Sequence, residues 1–239
     1  MSGPNVAVIV FPGSNCEHDT VEALSTLDAR GELVWHTQAS LDGFDAIIVP
    51  GGFAHGDYLR PGAIARFSPV MEAVSEAARS GVPVLGICNG FQVLTEARLL
   101  PGALMRNAGG RFLCQSVECE VASTSSVLTA NLSVGQRLWL PINHFEGNYT
   151  CDEETLHKLE KGGQIALRYV SNPNGSTASI AAVANRAGNV VGLMPHPERA
   201  CTALMGSVDG RVLLESFVLA AADRTGSSGA VAAVAVTGA

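Results

Sequence analysis

The sequence predicts an α/β protein with a mostly parallel central sheet flanked by helices and with extra antiparallel strands in its C-terminal half. Three observations support this fold class. Of the 239 residues, 47% are apolar and 15% are charged, a balance that can fill one sizeable core. Strand patterns alternate with helical patterns up to about residue 100, as in right-handed βαβ units. Beyond residue 103, short strand patterns separated by turn residues follow one another.

Each element of the N-terminal half follows from its own periodicity. Residues 5–11 form a β-branched apolar run that ends at Pro12-Gly13, which is typical of a buried strand. Residues 63–79 place their apolar side chains at helical spacing. By the same criteria, strands are expected at 5–11, 32–37, 45–50 and 82–87, and helices at 17–29, 63–79 and 89–99.

The C-terminal half has a different pattern of elements, with more strands than helices. Strands are expected at 116–121, 138–142, 165–170, 179–184 and 190–194, and helices at 153–160 and 210–222. We expect residues 4–224 to form a single domain. Residues 225–239 carry only small side chains and lack the large ones that build a core, so we expect a flexible low-complexity tail there. An apolar helix docked on the sheet is the alternative.

Charge and cysteine usage exclude several classes of protein. The chain has 22 acidic and 15 basic residues, which argues against a nucleic-acid-binding protein and against a polybasic membrane binder. Its six cysteines form no C-x-x-C pair, as expected in a reducing compartment. No secretory signal or membrane-spanning run is visible, so a cytoplasmic location is expected. No phosphate-binding or dinucleotide-binding motif occurs, and we expect neither a cofactor nor a metal in this chain.

The strongest local signal is Gly86-Ile87-Cys88-Asn89-Gly90, between a predicted strand and a predicted helix. It is the cysteine form of the nucleophile elbow, in which a sharp turn lifts the nucleophile above the sheet edge and needs small neighbours. The N-terminus of the following helix would stabilise a thiolate. The alternative is a structural cysteine in a tight turn.

A second signal is Met194-Pro195-His196-Pro197-Glu198. Pro197 disfavours helical geometry at His196, and in an extended chain His196 and Glu198 would point the same way. A carboxylate beside an imidazole fixes its tautomer and stabilises its protonated form, so this pair suits a general base and its orienting group. A turn histidine beside a solvated glutamate is the alternative.

Glycines and further polar residues complete the candidate site. Acyl chemistry needs two backbone donors for a developing oxyanion. The amides of Asn89 and of Gly52, in the turn Pro50-Gly51-Gly52, are our candidates, although Gly51-Gly52 alone also fits an ordinary turn. Cys16, in Pro12-Gly13-Ser14-Asn15-Cys16-Glu17-His18, is a rival nucleophile with His18 as its base, and the same turn could instead bind an anion. His55 and His144 are candidates for lining a pocket.

Together these motifs resemble the class I (triad) glutamine amidotransferases. Within that family the sequence is most similar to the glutaminase subunits of phosphoribosylformylglycinamidine synthases, over residues 4–222. The resemblance is carried by PGSNC, PGGFAHGDYLRPGAIARF, GICNGFQVL, LLPGAL and GLMPHPE. It implies a flavodoxin-like amidotransferase fold and hydrolysis of glutamine to glutamate and ammonia through a cysteine thioester.

The resemblance also implies roles for individual residues. These are Cys88 as nucleophile, His196 as general base and acid, Glu198 as its orienting group, Gly52 and Asn89 as oxyanion donors, and Gln92 and His144 in binding glutamine. His144 opens a segment similar to the family's H-G-E-G-R-Y loop, in which Phe145 and Asn148 stand for a glycine and an arginine, and His55 stands where a tyrosine is common. These departures concern loop details and partner contacts.

Partners are implied in the same way. The resemblance implies a large synthetase subunit that binds ATP, Mg²⁺ and formylglycinamide ribonucleotide, and a small third subunit. Two other function classes stay open: a freestanding thiol hydrolase of γ-glutamyl substrates, and a regulatory subunit without catalysis.

Overall fold

The computed structural model describes residues 3–224, so the expected tail at 225–239 lies outside the described residues. The strands are β1 Asn5–Val10, β2 Arg30–Trp35, β3 Ala46–Val49, β4 Val84–Ile87, β5 Ala103–Met105, β6 Leu113–Val121, β7 Arg137–His144, β8 Asn148–Thr150, β9 Ile165–Tyr169, β10 Ile180–Ala184 and β11 Val190–Leu193. The helices are α1 Glu17–Ser25, α2 Pro69–Arg79, α3 Asn89–Glu96, α4 Glu153–Lys161 and α5 Asp209–Arg224. Short 3₁₀ turns connect several of them.

A nine-stranded sheet in the order β2-β1-β3-β4-β11-β10-β9-β6-β7 organises the chain. The pairings from β2 to β11 are parallel, and those from β11 to β7 are antiparallel. A separate two-stranded sheet pairs β5 with β8. The predicted α/β class, with additional antiparallel strands in the C-terminal half, is confirmed.

The central strands could be predicted from sequence because buried strands form continuous apolar runs. Every residue of β3, β4 and β11 is buried, as expected for parallel strands covered by helices on both faces. The edge strand β7 alternates in burial instead, and the edge strand β2 is mostly exposed or half-buried, with only Val34 buried. Within the described residues, no helix is long and apolar enough to cross a membrane.

Several predicted boundaries were wrong. The helix expected at 63–79 is a 3₁₀ turn, Ala65–Phe67, followed by α2, because Ser68 precedes Pro69 and adopts an extended conformation. Helix α1 ends at Ser25, and not at residue 29. Strands β6 and β7 run up to three residues beyond their predicted limits because they pair with each other along their length. Strands β5 and β8 were not predicted.

The parallel part of the sheet determines where a site can form. Strands β1, β3, β4 and β11 all end at the same edge, because parallel strands share their direction. The segments that leave this edge are the Pro12–Cys16 turn, the Gly51-Gly52 turn, Cys88 and the segment that starts at Met194. Every motif singled out from the sequence in the parallel half therefore meets at one edge, where α/β sheets bind their ligands.

Candidate active site

Cys88 lies on a sharp turn between β4 and α3. Its backbone has φ 50° and ψ −104°, a conformation that a residue with a side chain adopts only at a cost of about 1–3 kcal/mol. Its amide donates to the Leu193 carbonyl at 2.8 Å. A methyl group on Gly90 would overlap the Val49 carbonyl oxygen, and one on Gly86 would lie 2.8 Å from the Gly90 backbone. The turn thus depends on both flanking glycines.

His196 and Glu198 form a buried hydrogen-bonded pair. The His196 Nδ1 lies 2.6 Å from Glu198 Oε1, and both residues are at most 2% exposed. The predicted pairing of the two side chains is present, but the extended conformation expected for this segment was wrong. His196 is non-helical, but a 3₁₀ turn over Pro197–Arg199 brings Glu198 back beside it. With Nδ1 donating to the carboxylate, Nε2 is left as the reactive nitrogen of the neutral ring.

Electrostatics favour a protonated imidazole at this position. Burial alone would lower the pKa of His196, but the Glu198 carboxylate and the Cys88 sulfur offset this effect and raise the pKa well above its usual range. Nε2 of His196 has no hydrogen-bond partner among the described residues, and the nearby Cys88 sulfur acts on the ring through its charge. The sulfur itself also lies 3.7 Å from the Asn143 carbonyl oxygen. The arrangement can therefore support a thiolate–imidazolium pair.

Two backbone amides beside Cys88 make no hydrogen bond within the described part of the chain. Asn89 is the first residue of α3, where amides have no partner inside the helix. Gly52, at φ 145°, pairs with Ser14 in a bridge whose hydrogen bonds run instead from Phe53 and Asn15. Both amides are thus available to a ligand.

The Asn89 side chain opens a polar network beside the elbow. Its Oδ1 accepts from the Ala54 amide at 2.9 Å, and its Nδ2 donates to Gln92 Oε1 at 2.8 Å and to Asp57 Oδ1 at 3.0 Å. Gln92 Nε2 in turn donates to the Glu146 carbonyl at 2.6 Å. These bonds fix both amide side chains in one orientation.

Asp57 is the residue of this network that sequence reasoning missed. Burial, together with the nearby Glu146 carboxylate, raises its pKa to about 6, although the Asn89 hydrogen bond opposes the shift. The sequence feature that could have identified Asp57 is its place within the motif PGGFAHGDYLRPGAIARF.

His144 is buried, and its tautomer is fixed by Asn107. The Asn107 amide nitrogen donates to two carbonyls, so Oδ1 is its acceptor and receives the His144 Nδ1–H at 3.1 Å. Nε2 of His144 is consequently an acceptor, and it has no partner among the described residues. Burial and the neighbouring His196 lower the pKa of His144 to about 4, so the ring is neutral at physiological pH.

Comparison with known proteins agrees with this geometry. Residues 3–211 match the family model of the CobB/CobQ-like glutamine amidotransferase domain. The chain belongs to this family. It is accordingly an enzyme of the glutamine amidotransferase class.

Two solved structures illustrate the relationship. A chain in the structure of PurLQS from Thermotoga maritima is 40% identical, with a TM-score of 0.84, and the match covers 91% of this chain and 98% of that chain. A Thermoplasma acidophilum protein provisionally assigned to GMP synthase, as one of its subunits, is 16% identical, with a TM-score of 0.67 and coverages of 94% and 96%. The second match shows only the shared fold.

Cys16 lies close to His196 and Glu198, but on a turn of a different kind from that of Cys88. Its φ of −111° is ordinary, and its sulfur accepts from the Arg199 guanidinium at 3.2 Å. Ligand atoms of Cys16, His196 and Glu198 lie within 4.8 Å of one another, a spacing that could hold a metal ion. The close hydrogen bond within the histidine–glutamate pair and the guanidinium charge favour proton transfer over binding of a dication.

The remaining candidate, His55, packs away from this cluster. Its ring contacts Phe11 and the His36 ring, with centroids 6.0 Å and 5.3 Å away. Burial and the neighbouring His36 lower its pKa. These contacts tie the segment that follows Gly52 to the ends of β1 and β2, and not to Cys88, His196 or Glu198.

Proposed function

We propose that this chain is the glutaminase subunit of a phosphoribosylformylglycinamidine synthase, in de novo purine biosynthesis. It would hydrolyse glutamine and pass ammonia to a synthetase subunit, which converts formylglycinamide ribonucleotide to formylglycinamidine ribonucleotide with ATP. The observation that carries the chemistry is the buried His196–Glu198 pair beside Cys88 on its strained elbow. The 40% identity to a PurLQS chain over almost the whole length supports the proposed place in purine biosynthesis.

In the proposed reaction the Cys88 thiolate attacks the side-chain amide carbon of glutamine. The amides of Gly52 and Asn89 would stabilise the oxyanion that forms. His196, oriented by Glu198, gives its proton to the nitrogen as the carbon–nitrogen bond breaks, so that ammonia leaves and a glutamyl thioester remains. His196 then takes a proton from water, the resulting hydroxide attacks the thioester, and glutamate leaves as Cys88 is regenerated.

Gln92 and His144 would hold the substrate. Gln92 lies one helical turn after Cys88, and its amide is oriented by two hydrogen bonds. The unpartnered, neutral Nε2 of His144 offers an acceptor to a donor group of glutamine. We expect substitutions of either residue to raise KM more than they lower kcat.

The proposal includes partners because the described site has no group that could use ammonia. We infer a large synthetase subunit that binds ATP, Mg²⁺ and the ribonucleotide, and a small third subunit in the same complex. Ammonia would travel between the active sites through a channel. We expect low glutaminase activity for the chain alone, since uncoupled turnover would waste glutamine.

The test is glutamate release from glutamine by the purified chain, alone and with the synthetase subunit, its ribonucleotide and ATP. We expect strong stimulation by the partner and near-complete loss of activity in Cys88→Ser, because an alcohol is a much weaker nucleophile than a thiolate at neutral pH. Vigorous, partner-independent hydrolysis of γ-glutamyl peptides would favour the freestanding hydrolase. Full activity in Cys88→Ser would refute the mechanism.

A further inference from the structure

The peptide that carries the Gly52 amide is held from its other side. The amides of Asn15 and Cys16, at the N-terminus of α1, both lie near the Gly51 carbonyl oxygen, at 3.4 Å and 3.3 Å. The described residues contain no cis peptide, so the Gly52 N–H points opposite to this carbonyl. The start of α1 therefore sets the direction of a proposed oxyanion donor.

This peptide needs such a restraint. It joins two glycines, whose backbone has more freedom than that of any other residue. A rotation of the peptide plane would replace the Gly52 N–H with the Gly51 carbonyl, whose partial negative charge would repel an oxyanion. The space is already narrow, because a methyl group on Gly51 would lie 2.8 Å from the His196 ring and 3.0 Å from the Cys16 sulfur.

Arg199 holds the first turn of α1 in place. Its Nε donates to Asp19 Oδ2 at 2.9 Å, and its Nη2 donates to the Cys16 sulfur at 3.2 Å. The Cys16 side chain makes no capping hydrogen bond to its own helix, and its sulfur instead contacts Asn15 Oδ1 and the Arg199 guanidinium, which restrains the turn from outside the helix. Arg199 follows Glu198 directly in the chain.

We propose that Arg199 is a positioning residue that holds the Gly51–Gly52 peptide in its oxyanion-binding orientation through the first turn of α1. The proposal rests on the proposed glutaminase function and adds to it a residue that touches neither the substrate nor the nucleophile. Arg199 thereby couples the segment that carries the general base to the loop that carries the oxyanion donor.

The test combines steady-state kinetics with alkylation of Cys88 by iodoacetamide, mapped by mass spectrometry because the chain has six cysteines. Loss of one oxyanion donor typically lowers kcat by about 100- to 1000-fold, so partial misorientation in Arg199→Ala should lower it by about 10- to 100-fold with little change in KM. Alkylation develops no oxyanion and should keep its rate. Arg199→Lys, with one cationic donor group, should restore part of the loss.

Arg211→Ala is the matched control. Arg211 also pairs with a carboxylate, Glu215, and also contacts α1, but at the Thr26 carbonyl beyond its C-terminal end. This variant should keep the wild-type kcat. Thermal unfolding checks that each variant folds, and Asp19→Asn provides a second, milder loosening of the same turn.

Each outcome has a separate meaning. A wild-type kcat in folded Arg199→Ala would overturn the positioning role and leave the glutaminase function intact. An equal fall in kcat and in alkylation rate would also overturn it, because Arg199 would then act on the thiolate. A wild-type enzyme without glutaminase activity in any assembly would overturn the proposed function, and the positioning role with it.

Discussion

Replacement of Asp57 by asparagine should stabilise the protein at neutral pH. Asp57 is partly buried beside the Asn89 side chain, with a pKa of about 6 against an ordinary value of 3.8. A carboxyl group whose pKa is raised on folding binds protons more tightly in the native state, so its ionisation costs stability as pH rises. Asparagine keeps an oxygen that can accept the Asn89 hydrogen bond but carries no charge.

The magnitude follows from the two pKa values. At 1.36 kcal/mol per pH unit, the interval between 3.8 and about 6 corresponds to about 3 kcal/mol at pH 7.5. Asp57 is only partly buried, and solvent screening reduces the expected gain to about 1 kcal/mol. For a domain of this size, such a gain raises Tm by about 2–4 °C. Above the folded pKa of about 6 the carboxyl group is ionised in both states, so the gain should be nearly constant there. It should shrink as pH falls from about 6 towards 3.8, where the carboxyl group becomes protonated in both states.

The assay is urea-induced unfolding of wild type and Asp57→Asn at pH 7.5, 6, 5 and 4. Asp42→Asn is the control, because that aspartate is exposed and bonded only to Ser40. A destabilised Asp57→Asn at pH 7.5, or a gain that does not change with pH, would refute the claim that the ionised Asp57 carboxylate lowers the free energy of unfolding.

Two further predictions concern the Cys88 turn and the His196–Glu198 pair. Glu198→Gln removes the main group that raises the pKa of His196, so the alkaline limb of the glutaminase pH profile should move to lower pH. Iodoacetamide should also alkylate Cys88 more slowly. An unchanged pH profile would contradict the proposed role of Glu198 as the group that orients and charges His196. Gly90→Ala should destabilise the fold by about 1–3 kcal/mol or more, since its methyl group meets backbone, whereas Gly109→Ala, with open space around it, should unfold at the wild-type urea concentration.

The central strands and helices were predictable from sequence because their signals are local. Runs such as those of β1, β3 and β4 are short, apolar and bounded by glycine or proline, and their burial follows from that pattern. Strands β5 and β8 were missed because each has three residues and exists only through pairing with the other. The interruption of the 63–79 helix, by contrast, was readable from Pro69.

The candidate site divides in the same way. Cys88, His196 and Glu198 lie in short motifs whose chemistry can be inferred from the sequence, and the structure brings them together at one sheet edge. Asp57 and Arg199 could not be ranked from sequence, since their importance comes from contacts with residues more than 30 positions away. Charged residues in loops are common, and only the fold distinguishes those that face a site from those that face solvent.

Two energetic costs lie at the sheet edge of the candidate active site. Cys88 has a strained backbone, and Asp57 carries a charge against burial. Each feature persists because rigid neighbours impose it: the elbow is packed against Val49, and the Asp57 loop is tied to Asn89. The buried strands β3, β4 and β11 supply the stability that offsets these costs. Substitutions that relieve strain at this edge should therefore stabilise the fold while weakening catalysis.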